Sequence, residues 1–253
     1  MIYACLAALM AGFVDAIVGG GGLIQAPAMF ILFPQFSVPR IIGTNRFASF
    51  MGTAVAAWQY SRKVEIPWRT VLYGGVGAGA MSFLGARFSS LISPEVLKPI
   101  ILVLMVAIAV YTYLKKNLGH EEQFRVAVHL IPWVGLLVGM ICGFYNGFVG
   151  PGTGSLLVFG FVSLIGYNFL MGSAISKFIN VVADVFSLIF FLAQGYVSFE
   201  IAIPMMICNM IGSYLGSRTA ILRGNGFVRL FFLCVIGSLL LRFGWDVYWE
   251  LQQ

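Results

Sequence analysis

Residues 18–27 read VGGGGLIQAP, with four consecutive glycines, Gly19 to Gly22, set between two apolar stretches. In water such a run would be a flexible turn or a phosphate-cradling loop, because glycine reaches positive φ freely and lets a ligand approach the backbone. The surrounding solvent decides. The chain has 253 residues, of which 60% are hydrophobic and 9% charged, and its mean hydropathy is +0.95. Soluble domains carry roughly 25% charged residues. This composition is that of an integral membrane protein. Stretches such as 97–114 and 230–241 hold almost no charge and approach the ~20 apolar residues of a bilayer-crossing helix. A β-barrel would show short alternating segments instead, so the fold class expected is all-α and polytopic.

The N-terminal MIYACLAALM has no basic n-region or clear cleavage site and reads as the first membrane helix rather than a signal peptide. Cys5, Cys142, Cys208 and Cys234 lie in apolar segments without CxxC or His-rich spacing, so neither a disulfide framework nor a metal site is expected. The net charge of +6 falls largely between hydrophobic segments, in SRKVEIPWR, LKKN and RGNGFVR. Snorkelling and orientation signals look like that, and no soluble basic face exists for a nucleic acid. His120 and His129 both sit near the linker, so no catalytic constellation and no cofactor site is expected.

Shifted by 131 residues, the sequence aligns with itself without a gap: GFVDAIVGGG (12–21) lies over GFYNGFVGPG (143–152), and SFLGAR (82–87) over SYLGSR (213–218). The chain therefore reads as a tandem duplication, with repeat 1 at 1–114, a linker at 115–127 and repeat 2 at 128–253. Each repeat divides into five hydrophobic pieces, about 2–18, 23–34, 44–60, 70–89 and 97–114 in the first, and 128–149, 154–166, 173–193, 200–219 and 228–245 in the second. The second piece of each spans only ~18 Å as a helix, too short for a core ~30 Å thick. Each glycine cluster thus links a helix to a half-helix.

Lys and Arg then orient the repeats. With an odd number of crossings per repeat, Lys115, Lys116 and Arg125 share a side with Arg62, Lys63, Arg69, Arg218, Arg223 and Arg229, opposite Arg40, Arg87, Lys98 and Arg242. Four crossings would erase that bias, so the positive-inside rule favours two inverted repeats.

Irregular backbone cannot face lipid; it survives inside protein or beside an aqueous cavity. The run Gly19 to Gly22 and its equivalent GPGTGS (150–155) are paired interruptions of the kind that mark a transporter's binding site. The amides opening each half-helix, from Leu23 and from Ser155, should attract an anion. The nucleotide-binding alternative fails because GGGGLIQAP lacks the Gly-Lys-Ser/Thr ending. Isolated glycines such as Gly74, Gly75, Gly77 and Gly79 read as helix-packing positions.

A second polar constellation is GTNRF (43–47) and its counterpart SAISKFIN (173–180), placing Arg46 or Lys177 near the start of a third piece. Either cation costs at least ~2.5–3.5 kcal/mol inside a membrane helix and must be paired or face water. Polar groups at Lys177, Asn180, Asp184 and Ser187 recur at helical spacing and mark one face as a pathway. Arg46 reads equally well as a snorkelling interface residue. Candidate binding residues are Gly19, Gly20, Gly21, Gly22, Thr44, Asn45, Arg46, Gly150, Gly152, Thr153, Ser176, Lys177 and Asn180, with Asp15 and Asp184 as coupling candidates. Asp15 could equally cap its loop, and Arg87 and Arg218 read as helix-end anchors.

These residues together resemble the TauE/SafE sulfite-exporter family of membrane permeases. The resemblance rests on the Gly-rich stretch after the first helix of each half, GTN in one half, KFIN in the other, and LGAR/LGSR closing a later helix, and covers about residues 3–244. It implies a polytopic bacterial permease moving sulfur-containing anions such as sulfite, thiosulfate or organosulfonates. It nominates Gly19 to Gly22, Thr44, Asn45, Gly150, Gly152, Lys177 and Asn180. Pro151 within the second cluster and the residues before Lys177 depart from the family pattern, and the family's usual count of about eight spans differs from an odd repeat. The expected function is a secondary transporter in the bacterial cytoplasmic membrane, working by alternating access and coupled to an ion gradient, with an anion channel or a permease for a different small organic anion as the alternative. Its expected partners are a small anion and the bilayer, with homo-oligomerisation left open.

Overall fold

The computed structural model describes residues 1–88, 119 and 121–250, the side chains of 236 and 238–250 excepted. The expected fifth piece 97–114, Lys98, Lys115, Lys116, His120 and the side chain of Arg242 lie outside the described residues. All regular structure among the described residues is helical.

Helix α1 (Ile2–Val18) stops because Gly19 turns left-handed at φ 81°, its N–H returning to the Asp15 carbonyl at 2.7 Å. Helix α2 (Gly22–Leu32) follows at once and doubles back, since its Met29 packs in one apolar cluster with Ala4 and Ala8 of α1. Next come α3 (Val38–Ser61) and α4 (Trp68–Phe88). After a 3₁₀ turn at Val128–Leu130, α5 (Ile131–Phe148) leads to α6 (Thr153–Gly160). The latter widens into a π turn, Phe161–Ile165, that ends at Gly166. Gly160 packs on Val138, so α6 returns along α5 as α2 does along α1. Helix α7 (Phe169–Ala193) is capped by the Asn168 side chain, which accepts from the Met171 N–H at 2.8 Å. Helix α8 (Phe199–Glu250) is interrupted at Gly224, where φ is 72°; the two expected pieces 200–219 and 228–245 lie either side of that break.

Three of the described helical stretches, Val128–Phe148, Phe169–Ala193 and Phe199–Val235, are long and apolar enough to cross a bilayer. The third pieces begin earlier than apolar content suggested, at Val38 rather than 44 and Phe169 rather than 173. Pro39 in the first turn and the Asn168 cap start each helix ahead of its apolar run. Arg46 and Lys177 consequently sit about two turns inside their helices.

The bundle closes by exchange between the two halves. Helix α4 packs chiefly on α5 and α7, and α8 chiefly on α1 and α3. Small residues permit this. A Cβ at Gly85 would come within 2.3 Å of the Phe144 carbonyl oxygen, and one at Gly216 within 2.3 Å of that of Phe13, so the LGAR and LGSR glycines are helix-contact positions. Arg87 and Arg218, which end these motifs, are exposed. Gly74 and Gly77 pack on α5, where they meet the Gly135 and Leu136 carbonyls. Helices α3 and α7 run antiparallel: Thr44, near the start of α3, accepts from the Ser198 N–H beyond the end of α7. At the other end Tyr167, just before α7, meets Thr70 in the first turn of α4.

Candidate functional site: two broken helices around a polar cavity

The two backbone breaks touch. Gly19 and Gly154 lie back to back, so close that a Cβ on Gly19 would come within 2.2 Å of the Gly154 carbonyl carbon, and the Ser155 N–H donates to the Gly19 carbonyl at 3.2 Å. Gly22 faces Pro151, and Gly21 packs over the Ala11 carbonyl of its own hairpin. The run therefore serves close backbone contact first. Several amides expected to be free are already bonded, Leu23 N–H to the Gly20 carbonyl and Ser155 N–H to Gly19.

A helix that ends inside a membrane strands its last carbonyls, and no lipid can satisfy them. Here side chains from other elements do so. At the end of α1, the Asp15 carbonyl accepts from Lys177 Nζ and the Ala16 carbonyl from Tyr60 Oη at 3.0 Å. The Ile17 carbonyl accepts from Ser173 Oγ at 2.9 Å, and the Val18 carbonyl from Ser155 Oγ at 3.0 Å. At the end of α5 the Asn146 carbonyl accepts from Arg46 Nη2, while Tyr145 Oη donates to the Pro151 carbonyl at 2.8 Å. Each cation thus reaches across to the residue that precedes the other half's glycine cluster.

Each cation also meets a carboxylate. Lys177 Nζ lies 3.1 Å from Asp15 Oδ2, which also accepts from Thr53 Oγ1 at 3.4 Å. Arg46 Nη1 lies 3.6 Å from Asp184 Oδ1 and donates to Ser187 Oγ at 2.6 Å and to Asn146 Oδ1. Asn146 Nδ2 in turn donates to Asp184 Oδ1 at 3.1 Å and Asn180 Oδ1 at 3.2 Å, while Ser82 Oγ donates to Asn146 Oδ1 at 3.2 Å. Lys177 and Asp184 share one face of α7, yet each pairs with a residue from the other half, Asp15 and Arg46. Arg46 is 4% exposed and held on several sides, so it is not a snorkelling residue. Asp15 also accepts from the Gly21 N–H at 3.3 Å, capping the loop as well as pairing.

Between the breaks lies a cavity of about 50 Å³, room for about three to five waters at ~10–15 Å³ each. Of the candidate residues, Gly19, Gly21, Gly22, Asn45, Arg46, Gly150, Gly152, Thr153 and Asn180 line it, as do Asp15 and Asp184. Four do not. Gly20 faces Val235 and Ser155, and Thr44 is spent on Ser198. Ser176 bonds back to the Gly172 carbonyl in its own helix, and Lys177 is fully buried on Asp15. Five polar lining residues lie outside the candidate list, Gln25, Ser49, Thr53, Asn146 and Asn209. An amide inside the short apolar half-helix, Gln25 in GGLIQAPAM, was the available signal. Counted formally, the two carboxylates, Asp15 and Asp184, balance the two cations, Arg46 and Lys177.

The TauE/SafE sulfite exporter family model matches residues 4–243. A probable membrane transporter protein of a Sinorhizobium species is 34% identical over 240 residues, 94% of this chain and 89% of that relative. Another from Haemophilus influenzae is 31% identical over 220 residues, covering 87% of this chain and 85% of the relative. The probable membrane transporter protein YfcA of Escherichia coli is 30% identical over 224 residues, 88% and 81% of the two chains. No solved structure matches. With the match spanning almost every residue and the relatives aligned over most of their own length, the chain belongs to the TauE/SafE sulfite exporter family.

Proposed function

We propose that this protein is a secondary transporter of a small sulfur-containing oxyanion, of the sulfite, thiosulfate or organosulfonate class, in the bacterial cytoplasmic membrane. The observation that carries this reading is the meeting of both backbone breaks at a polar cavity reached by Arg46. A guanidinium suits planar or tetrahedral oxyanions, which it binds through paired N–H donors. The family's name supplies the sulfur chemistry.

Transport proceeds by alternating access of two inverted repeats, 1–114 and 128–253. In support, Gly22, Val38 and Trp68 open helices in the first repeat, and Thr153, Phe169 and Phe199, each 131 positions later, open helices in the second. The antiparallel α3 and α7, equivalent helices at the 131-residue offset, fit opposite orientation of the two repeats.

Charge balance supports coupling. An anion that enters a site whose four ionised groups cancel needs a compensating cation, and a proton on Asp184 supplies it while freeing Arg46 for the anion. Asp15, tied to Lys177, is the second coupling carboxylate. The test is labelled sulfite and thiosulfate flux in proteoliposomes under an imposed pH gradient. Wild type should show saturable flux driven by inward protons and accelerated by anion on the opposite side. Asp184→Asn should keep anion exchange and lose the response to the gradient. Flux indifferent to the opposite side's anion would indicate a channel and contradict the carrier reading.

A further inference from the structure

Gln25 stands on α2 close behind the first break, 1% exposed, and lines the cavity. Its Oε1 accepts from Asn209 Nδ2 at 3.0 Å, whereas its Nε2 has no hydrogen-bond partner. The direction of this amide is fixed by a chain of donors. Asn209 Nδ2 also donates to the Ala8 carbonyl at 3.2 Å, and its Oδ1 is 3.5 Å from Ser213 Oγ. A carbonyl only accepts, so the Asn209 atom facing Ala8 is the nitrogen, and Gln25 must then present oxygen to Asn209, which leaves its NH₂ as the unpaired group.

Asn209 is itself clamped by two glycines. A Cβ on Gly52 would fall 1.9 Å from its Oδ1, and one on Gly12 2.2 Å from its backbone oxygen. Asn45 Oδ1, on the same cavity, is likewise without a partner. Native folds rarely leave such atoms unpaired, and polar groups held at this cost inside a membrane serve a ligand.

We infer that Gln25 is a substrate-contacting donor whose Nε2–H bonds an oxygen of the transported anion, and that Asn209 is the positioning residue that aims it. The assignment rests on the oxyanion reading above and deepens it: Arg46 supplies charge, and Gln25 supplies a neutral donor that favours an anion carrying a further acceptor oxygen.

The test compares initial rates of labelled sulfite and thiosulfate uptake by the full chain in proteoliposomes, with thermal midpoints in detergent confirming that each variant is folded. Gln25→Leu should raise KM about tenfold or more and leave the maximal rate within about threefold. Gln25→Glu, nearly the same shape, should raise KM further at pH 8, because a carboxylate repels the anion. Its KM for thiosulfate should recover as pH falls toward 5.5, where a protonated Glu regains a donor. Asn209→Ala should raise KM in the wild-type background and add nothing in Gln25→Leu, as expected of a residue that acts through Gln25. A KM for Gln25→Leu within twofold of wild type, or a Gln25→Glu defect that ignores pH, would overturn the assignment while leaving anion transport standing. Absence of saturable flux of either probe by wild type would overturn the transport reading itself and this assignment with it.

Discussion

Arg46 and Lys177 occupy the same place in the two halves, yet they work differently. Both reach across to the broken helix end of the opposite half, Lys177 to the Asp15 carbonyl and Arg46 to that of Asn146. Their carboxylates have traded positions. In the first triad the acid is Asp15, at the helix end, with Thr53 beside it; in the second the helix end is Asn146 and the acid is Asp184, the position equivalent to Thr53. The consequence is a division of labour. Lys177 is fully buried on Asp15 and does not line the cavity, whereas Arg46 and Asp184 do. On the proposed function the Arg46–Asp184 pair is the one that faces the solute, while Lys177 joins the two halves away from the cavity and its partner Asp15 borders it.

The largest expected effect is on the contact beneath both pairs. Gly19→Ala sets a left-handed residue against the Gly154 backbone, and backbone cannot yield as a side chain can. Folded protein recovered in detergent should fall close to background. Gly20→Ala meets side-chain atoms of Val235, Ser155 and Val14 and no backbone as near, and should fold and transport nearly as wild type.

The two cations should separate next. Lys177→Ala empties a fully buried side-chain site and takes the cation from the part-buried Asp15, so its thermal midpoint should drop most. Arg46→Ala should lose transport with a smaller drop, since the Asp184 carboxylate keeps the Asn146 amide and the cavity beside it. Equal thermal loss in both variants would remove the distinction between a structural and a solute-facing pair.

A finer test moves the acid. Asp15→Asn alone should destabilise, and adding Thr53→Asp, which copies the second triad into the first, should restore part of the thermal midpoint. Smallest of all, Thr44→Val forfeits one hydrogen bond to the Ser198 N–H, about 0.5–1.5 kcal/mol, with sulfite KM unchanged because Thr44 does not line the cavity.

Much of this arrangement was legible in the sequence because its two halves align at one constant offset of 131 residues. Matching Gly19 to Gly150 located both breaks, and matching Arg46 to Lys177 located both cations. Partner choice was not legible. Lys177 and Asp15 are 162 residues apart, and only the exchange of helices between halves brings them together. The starts of α3 and α7 were misjudged because apolar content marks where lipid begins, while Pro39 and Asn168 mark where the helix begins. Gln25 and Asn209 escaped because neither has a polar equivalent in the other half; position 156 is Leu and position 78 is Ala. Repeat logic finds what the halves share and is blind to what one half added.

The central claim is that the crossed breaks frame the anion site. Its most direct test is to soak crystals of the full chain with selenite, a heavier analogue of sulfite, and locate the selenium by anomalous scattering. The account expects one dominant peak between Gly19 and Gly150, within hydrogen-bonding reach of Arg46 and Gln25. A dominant peak elsewhere, with that cavity holding only water in a protein shown to transport sulfite, would contradict it.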